Sequence, residues 1–144
     1  MRFSTRTRYG IRAMLELALH FGESPLQLKR ISKSQGVSLK YLEQLMVLLK
    51  SAGLVKTVRG ARGGYVLARP PDTIRLSDCV NCLEGHLAAV ECVDDDSFCR
   101  RSADCLTRQV WQQVSAAIES VLQSVNLQDL VDKTKKSSNL NYQI

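Results

Sequence analysis

The sequence predicts a mainly α-helical chain that carries one small β-hairpin and ends in a long helix. Three observations predict this. Apolar residues recur at helical spacing through most of residues 5–52. Two short alternating stretches flank a glycine-rich turn, Arg59-Gly-Ala-Arg-Gly-Gly64. From Leu106 onward, Trp111, Val114, Ile118, Val121 and Val125 repeat at intervals of 3, 4, 3 and 4, a heptad-like seam.

The first helix is expected from about Thr5 to Phe21, with Tyr9, Ile11, Met14, Leu15, Leu17 and Ala18 on a broad apolar face. Gly22-Glu-Ser-Pro25 interrupts it, and Pro25 suits the first turn of a second helix reaching about Gln35, with Leu28 and Ile31 on one face. Gly36-Val37-Ser38 reads as a tight turn, because glycine accepts the left-handed backbone such a turn needs. Ser38 then caps a third helix, from about Leu39 to Ala52. Its buried face is Leu42, Leu45 and Leu49; Lys40, Tyr41, Glu43, Gln44 and Lys50 lie on the other.

Gly53 ends that helix, Leu54–Val58 alternates like a strand, and Tyr65–Leu67 is its antiparallel partner. Two helices joined by a tight turn and followed by a hairpin make a winged helix-turn-helix. Its third helix suits a DNA major groove: Gln44 offers hydrogen bonds to a base edge, Lys40 reaches base or phosphate, and Glu43 can accept from a cytosine amine or form a salt bridge. The hairpin tip adds Arg59 and Arg62 for phosphate or the minor groove, with Gly63 and Gly64 allowing close approach. The candidate DNA-binding residues are therefore Ser38, Lys40, Tyr41, Glu43, Gln44, Arg59, Arg62, Gly63 and Gly64. A kinase-type or Walker phosphate loop fits poorly, because the glycine spacing is wrong and no Gly-Lys-Ser/Thr follows; a plain tight hairpin is the other reading.

Charge supports the same reading. Residues 1–75 hold 14 Lys/Arg against 4 Asp/Glu, a net of +10, whereas residues 76–144 hold 6 against 10, a net of −4; together they give the chain's +6. A basic half that coincides with a DNA-reading pattern implies a polyanion-binding module joined to one with another task. No apolar run is long enough to span a bilayer, and Met1–Arg8 lacks the apolar stretch of a signal peptide, so the expected location is cytoplasmic, without membrane association. No acid–base pair, nucleophile triad or phosphate loop points to an enzyme.

The second half holds all five cysteines. Arg69–Thr73 reads as a linker, and Ser77 as the cap of a short helix to about Glu84, ended by Gly85. Cys79 and Cys82 have metal-like C-x2-C spacing, yet with Leu83 they form one helical face, which favours core packing. The stretch Glu91–Cys105 is polar, acidic and without helical periodicity, and its Cys92, Cys99 and Cys105 follow C-x6-C-x5-C. Such a loop can aim several thiolates at an inorganic cluster. Arg100 and Arg101 can lower thiol pKa values or balance cluster charge. The helix from Leu106 must bury its stripe, either within its own subunit or, as suits a reader of palindromic DNA, by pairing with a second copy, and different faces can do both. Leu127–Val131 reads as one further turn, and Lys133–Ile144 as a flexible tail. The expected divisions are 1–75 for the winged helix-turn-helix, 76–105 for the short helix and cysteine loop, 106–131 for the dimerisation helix and 132–144 for the tail.

Arg8–Leu15, Gly36–Leu45, Leu54–Tyr65, Leu83–Gly85 and Cys105–Trp111 together resemble the Rrf family of bacterial transcription regulators, which includes IscR-, NsrR-, RirA- and CymR-like proteins. The resemblance runs from Met1 to about Val131. It implies a homodimeric winged-helix binder of double-stranded, pseudo-palindromic operator DNA, paired through Trp111, Val114, Ile118, Val121 and Val125. It also implies an iron–sulfur cluster, 2Fe-2S or 4Fe-4S, on Cys92, Cys99 and Cys105. Two departures stand out. The first cysteine gap is one residue longer than in several cluster-binding members. The family's fourth-ligand positions, a histidine three residues after the last cysteine or an acidic residue near the N-terminus, are Arg108 and Arg8 here. Glu91, Asp94, Asp95, Asp96, Asp104, His86, a small exogenous ligand or an open site remain for that role. The competing expectations are a cluster-free regulator switched by thiol chemistry or a partner protein, an iron–sulfur carrier or scaffold, and a structural zinc site.

Overall fold

The computed structural model describes residues 2–141. Helix α1 spans Thr5–Leu19, α2 Leu28–Gln35 and α3 Leu39–Ser51. Strands β1 (Val55–Val58) and β2 (Gly64–Leu67) form an antiparallel hairpin. Then come α4 (Leu76–Leu83), the short α5 (Glu91–Asp94), α6 (Leu106–Ser124) and α7 (Leu127–Asn141). The chain is thus mainly helical, with a winged helix-turn-helix and a long helix near its end.

Each boundary has a local cause. Ser4 caps α1 by accepting from the Thr7 amide at 3.2 Å, and Ser38 caps α3 by accepting from the Tyr41 amide at 3.2 Å. Gly36 closes α2 at φ 63°, the left-handed region expected of the turn. Pro25 does not open α2, contrary to the sequence expectation. The segment before α2 is instead held extended, because Leu26 exchanges backbone hydrogen bonds with Tyr65 at 3.0 and 2.8 Å and adds a third rung to the wing. Ser77 likewise is no cap: it lies buried inside α4, whose start is set by the Arg75 amide donating to Asp78 at 3.0 Å.

One apolar core joins both halves. Met14 and Leu17 of α1, Ile31 of α2, and Leu42, Leu45 and Leu49 of α3 pack with Val55 and Leu67 of the hairpin. Cys79 and Leu83 of α4 and Leu127 and Val131 of α7 complete it. The C-terminal expectation needs correction. Residues 106–131 are not one helix: the backbone is extended at Val125, whose carbonyl accepts from the Leu76 amide at 2.9 Å. Asn126 and Asp129 then accept from each other's amides at 2.9 Å, a reciprocal cap that starts α7. Lys133–Asn141, expected to be tail, continues α7, which returns to pack beside α1. Residues 142–144 of that expected tail lie outside the described residues.

Candidate DNA-reading surface and cysteine loop

Helix α3 buries Leu42, Leu45, Met46 and Leu49 and turns Lys40, Glu43 and Gln44 outward. Ser38 is exposed at its N-terminal end. Tyr41 differs from the expectation: it is half-buried, its ring edge-on to Tyr9 at 6.3 Å and its hydroxyl 3.3 Å from the Thr5 hydroxyl. It therefore fastens α3 to α1 more than it faces outward. Lys50 spends its ammonium on the Thr57 hydroxyl at 3.2 Å, bracing the wing against α3. The sequence reading passed over Val47, which stands 62% exposed on the outward face.

Arg59 and Arg62 are exposed at the wing tip. Gly63 and Gly64 are not free surface. A Cβ on Gly63 would collide with the Val58 carbonyl, and one on Gly64 with the Leu26 carbonyl. These two glycines shape the wing by letting backbones touch, and the arginines supply its charge.

One side chain makes three contacts to the cysteine segment. Arg108, in the first turn of α6, donates from Nε to the Cys92 carbonyl at 2.7 Å and from Nη1 to the Ser102 carbonyl at 3.3 Å, and pairs with the Asp96 carboxylate. Its side chain is only 14% exposed, against 85% for Asp96, so the guanidinium is the interior post around which the segment winds. The segment is not all loop: Cys92 lies half-buried in α5, and Asp95 accepts from the Ser97 amide and hydroxyl at 2.9 and 2.6 Å to form the next turn. Cys99 is exposed, and Cys105 is the residue before α6.

The thiols differ sharply. The Thr107 hydroxyl, 3.2 Å from Sγ, holds the Cys105 thiol below its ordinary range. The Arg108 and Thr107 amides and the Arg101 charge act in the same direction. Burial pushes Cys79 up to about 12, with Asp78 adding to the effect. Burial also raises Cys82, whose Sγ donates to the Leu48 carbonyl at 3.2 Å. The C-x2-C pair thus belongs to the core, as its helical spacing indicates. As donors, the loop's three soft thiols suit an iron–sulfur cluster. In position they do not form a set: among the described residues no three His, Cys, Asp or Glu side chains gather closely enough to hold a metal ion. Asp96 is occupied by Arg108, and His86 by Asp94 at 2.9 Å. Beside them lies a surface cavity of about 310 Å³, lined in part by Cys99, Ser102 and Arg108.

The profile of the Rrf2 family, described as an iron-dependent transcriptional regulator, matches residues 3–133. The chain belongs to the Rrf2 family. It is 42% identical over 134 residues to the HTH-type transcriptional regulator CymR of Bacillus subtilis, covering 93% of this chain and 92% of that protein. The solved structure of CymR, the global cysteine regulator of B. subtilis, aligns with a TM-score of 0.79 at 41% identity over 92% of this chain and 98% of that one. T. potens IscR aligns with a TM-score of 0.79 at 42% identity over 95% and 90%. An Rrf2 protein is a DNA-binding transcription regulator and not an enzyme, and no helix among the described residues is long and apolar enough to cross a membrane.

Proposed function

We propose that the protein is a homodimeric regulator whose hold on operator DNA is set by the chemical state of Cys92, Cys99 and Cys105. The observation that carries this reading is the Arg108 clamp. A residue of α6 holds the carbonyls at Cys92 and Ser102, so any reaction that rearranges the cysteine segment acts on α6 directly. That helix has no fully buried residue in the protomer. Leu106, Val110, Trp111, Val114 and Val121 are all exposed, and an apolar groove of about 320 Å³ runs between α6 and Phe3. A second copy, related by two-fold symmetry, covers this stripe and presents two α3 helices and two wings to the two halves of a palindromic site. Ile118 is half-buried and borders the groove; Val125 leaves the proposed seam, because its backbone is committed to α4.

The first form of the reading is an iron–sulfur cluster on the three thiolates, supported by the donor set, by the iron dependence in the family's description and by the likeness to T. potens IscR. When bound, a cluster supplies an iron centre that iron supply, oxygen, nitric oxide or redox state can alter. Arg108 stands at the family's histidine position and Cys79 and Cys82 belong to the core, which leaves a carboxylate, His86, a small exogenous ligand or an open site for the fourth position. The second form is a cluster-free thiol switch. The lowered pKa of Cys105, the dispersed thiols and the likeness to CymR favour it.

Iron, sulfide and visible absorption of protein purified without oxygen, beside Cys92→Ala, separate the two. Iron with sulfide and charge-transfer bands, lost in the variant, supports the cluster form. Colourless protein after reconstitution, with operator binding that responds to oxidant, supports the thiol form. Operator binding equally indifferent to Cys92→Ala, oxidant and iron would overturn both.

A further inference from the structure

The outward face of α3 contains one apolar side chain that nothing in the protomer accounts for. At helical periodicity Lys40, Glu43, Gln44, Val47 and Ser51 share one arc, opposite Leu42, Leu45 and Leu49. All five are exposed, and Val47 stands near the middle of the arc. Its exposure is 62%, whereas the other exposed large apolar side chains of residues 2–75, Phe3, Phe21, Leu39 and Val58, are at 39–46%. A β-branched residue is also a poor choice for an exposed helix position, since it restricts its own rotamers and contributes no solvation.

The surroundings indicate what the side chain meets. Glu43, an acceptor, lies one turn before it, Gln44 and Lys40 share its arc, and Arg59 and Arg62 are exposed at the wing tip. In the major groove the one apolar group on a base edge is the thymine C5-methyl. We propose that Val47 packs against a thymine methyl and is a specificity-determining residue of the DNA-reading helix. This rests on the DNA-reading assignment of α3 and gives it a base. Glu43 accepts from a cytosine amine in the same half-site. One helical turn, about 5.4 Å, spans between one and two base steps of about 3.4 Å, so the cytosine and thymine lie within about two base steps of one another.

The test begins with duplexes selected by the full-length protein from a random-sequence DNA pool. Each thymine of the selected site is then replaced singly by uracil, which removes the methyl and nothing else. Binding is measured for the wild type, Val47→Ala and Val47→Thr. The expected result is one position per half-site where uracil weakens the wild type about fourfold, the value of one buried methyl. Val47→Ala shows that loss already on the thymine duplex and no further loss with uracil, while Val47→Thr, which keeps one methyl, falls between. Val47→Ala melts no lower than the wild type, and all three share the same salt dependence on random DNA. The proposal is overturned if Val47→Ala binds the thymine duplex as tightly as the wild type, or if wild type and variant are equally sensitive to every uracil. A wild type that enriches no sequence fails one step earlier, at the DNA-reading assignment itself.

Discussion

Helix α4 and the segment in front of α6 both carry cysteines at spacings that suit a metal, and the fold treats them in opposite ways. Cys79 lies wholly within the core, and loss of water raises its thiol to about 12. Cys105 sits at a helix N-terminus where Thr107 and the first-turn amides favour the thiolate. The first is a small hydrophobe and the second a reactive group, although the two are the same amino acid on one chain. What separates them is the periodicity around them. Cys79 continues the stripe of an amphipathic helix, and burial follows. The segment around Cys99 is polar, and it winds around the little-exposed guanidinium of Arg108.

The largest effect expected from this contrast comes from serine substitution. Cys79→Ser places a hydroxyl without a partner in the core and should cost about 1–3 kcal/mol. Cys99→Ser, at an exposed turn, should stay within about 0.5 kcal/mol. Urea unfolding of both variants checks the difference, and equal costs would break the comparison. Alkaline pH gives the same contrast with its own sign. The Cys79 thiol ionises near its ordinary 9.0 when unfolded and near about 12 when folded, so the folded state holds the extra proton between those values. Its contribution is complete below pH 9 and is lost as pH rises toward 12. Cys79→Ala should flatten that decline.

Arg108→Ala probes the other region. Removing the guanidinium leaves the Cys92 and Ser102 carbonyls and the Asp96 carboxylate without their shared donor. Amides in residues 92–105 should exchange about ten- to a hundredfold faster, equivalent to about 1.4–2.8 kcal/mol of local stability. Amides of α1 and α3 should be unchanged, because their core does not include Arg108. If the whole molecule loosened together, the segment would be part of the core after all.

The same contrast explains which parts of the fold were legible. Elements α1, α3 and the hairpin were readable because period, cap and glycine all agree in the sequence, as at Gly36-Val37-Ser38. The start of α2 was not, because Pro25 is a good helix opener locally and the pairing of Leu26 with Tyr65 is a contact across the fold. The cysteines were legible as a group, and their holder was not. Arg108 stands at a family ligand position, and nothing in its neighbours announces that it binds the carbonyls of residues 16 and 6 positions earlier. Val47 was hidden by the rule that apolar residues of a helix belong to its buried face.

Helix α7 is the case where a signal was present and was outweighed. Asn126-Leu-Gln-Asp129 is a capping-box pattern, a side-chain acceptor followed three residues later by a carboxylate, and it starts a helix. The preceding heptad-like repeat continues in phase through Val125, and the lysines and serines beyond look like tail, so the sequence pattern masks the break. Leu127 and Val131 make the return to α1 necessary by burying themselves there. Asn126→Ala tests how much the cap contributes beyond that burial. The expected loss is about 1 kcal/mol, the usual value of a cap, and Asp129→Ala should cost a similar amount. The two together should cost less than their sum, because each removes the same reciprocal pair. Additive losses in urea unfolding would mean that the two side chains act separately and that apolar burial alone sets where α7 begins.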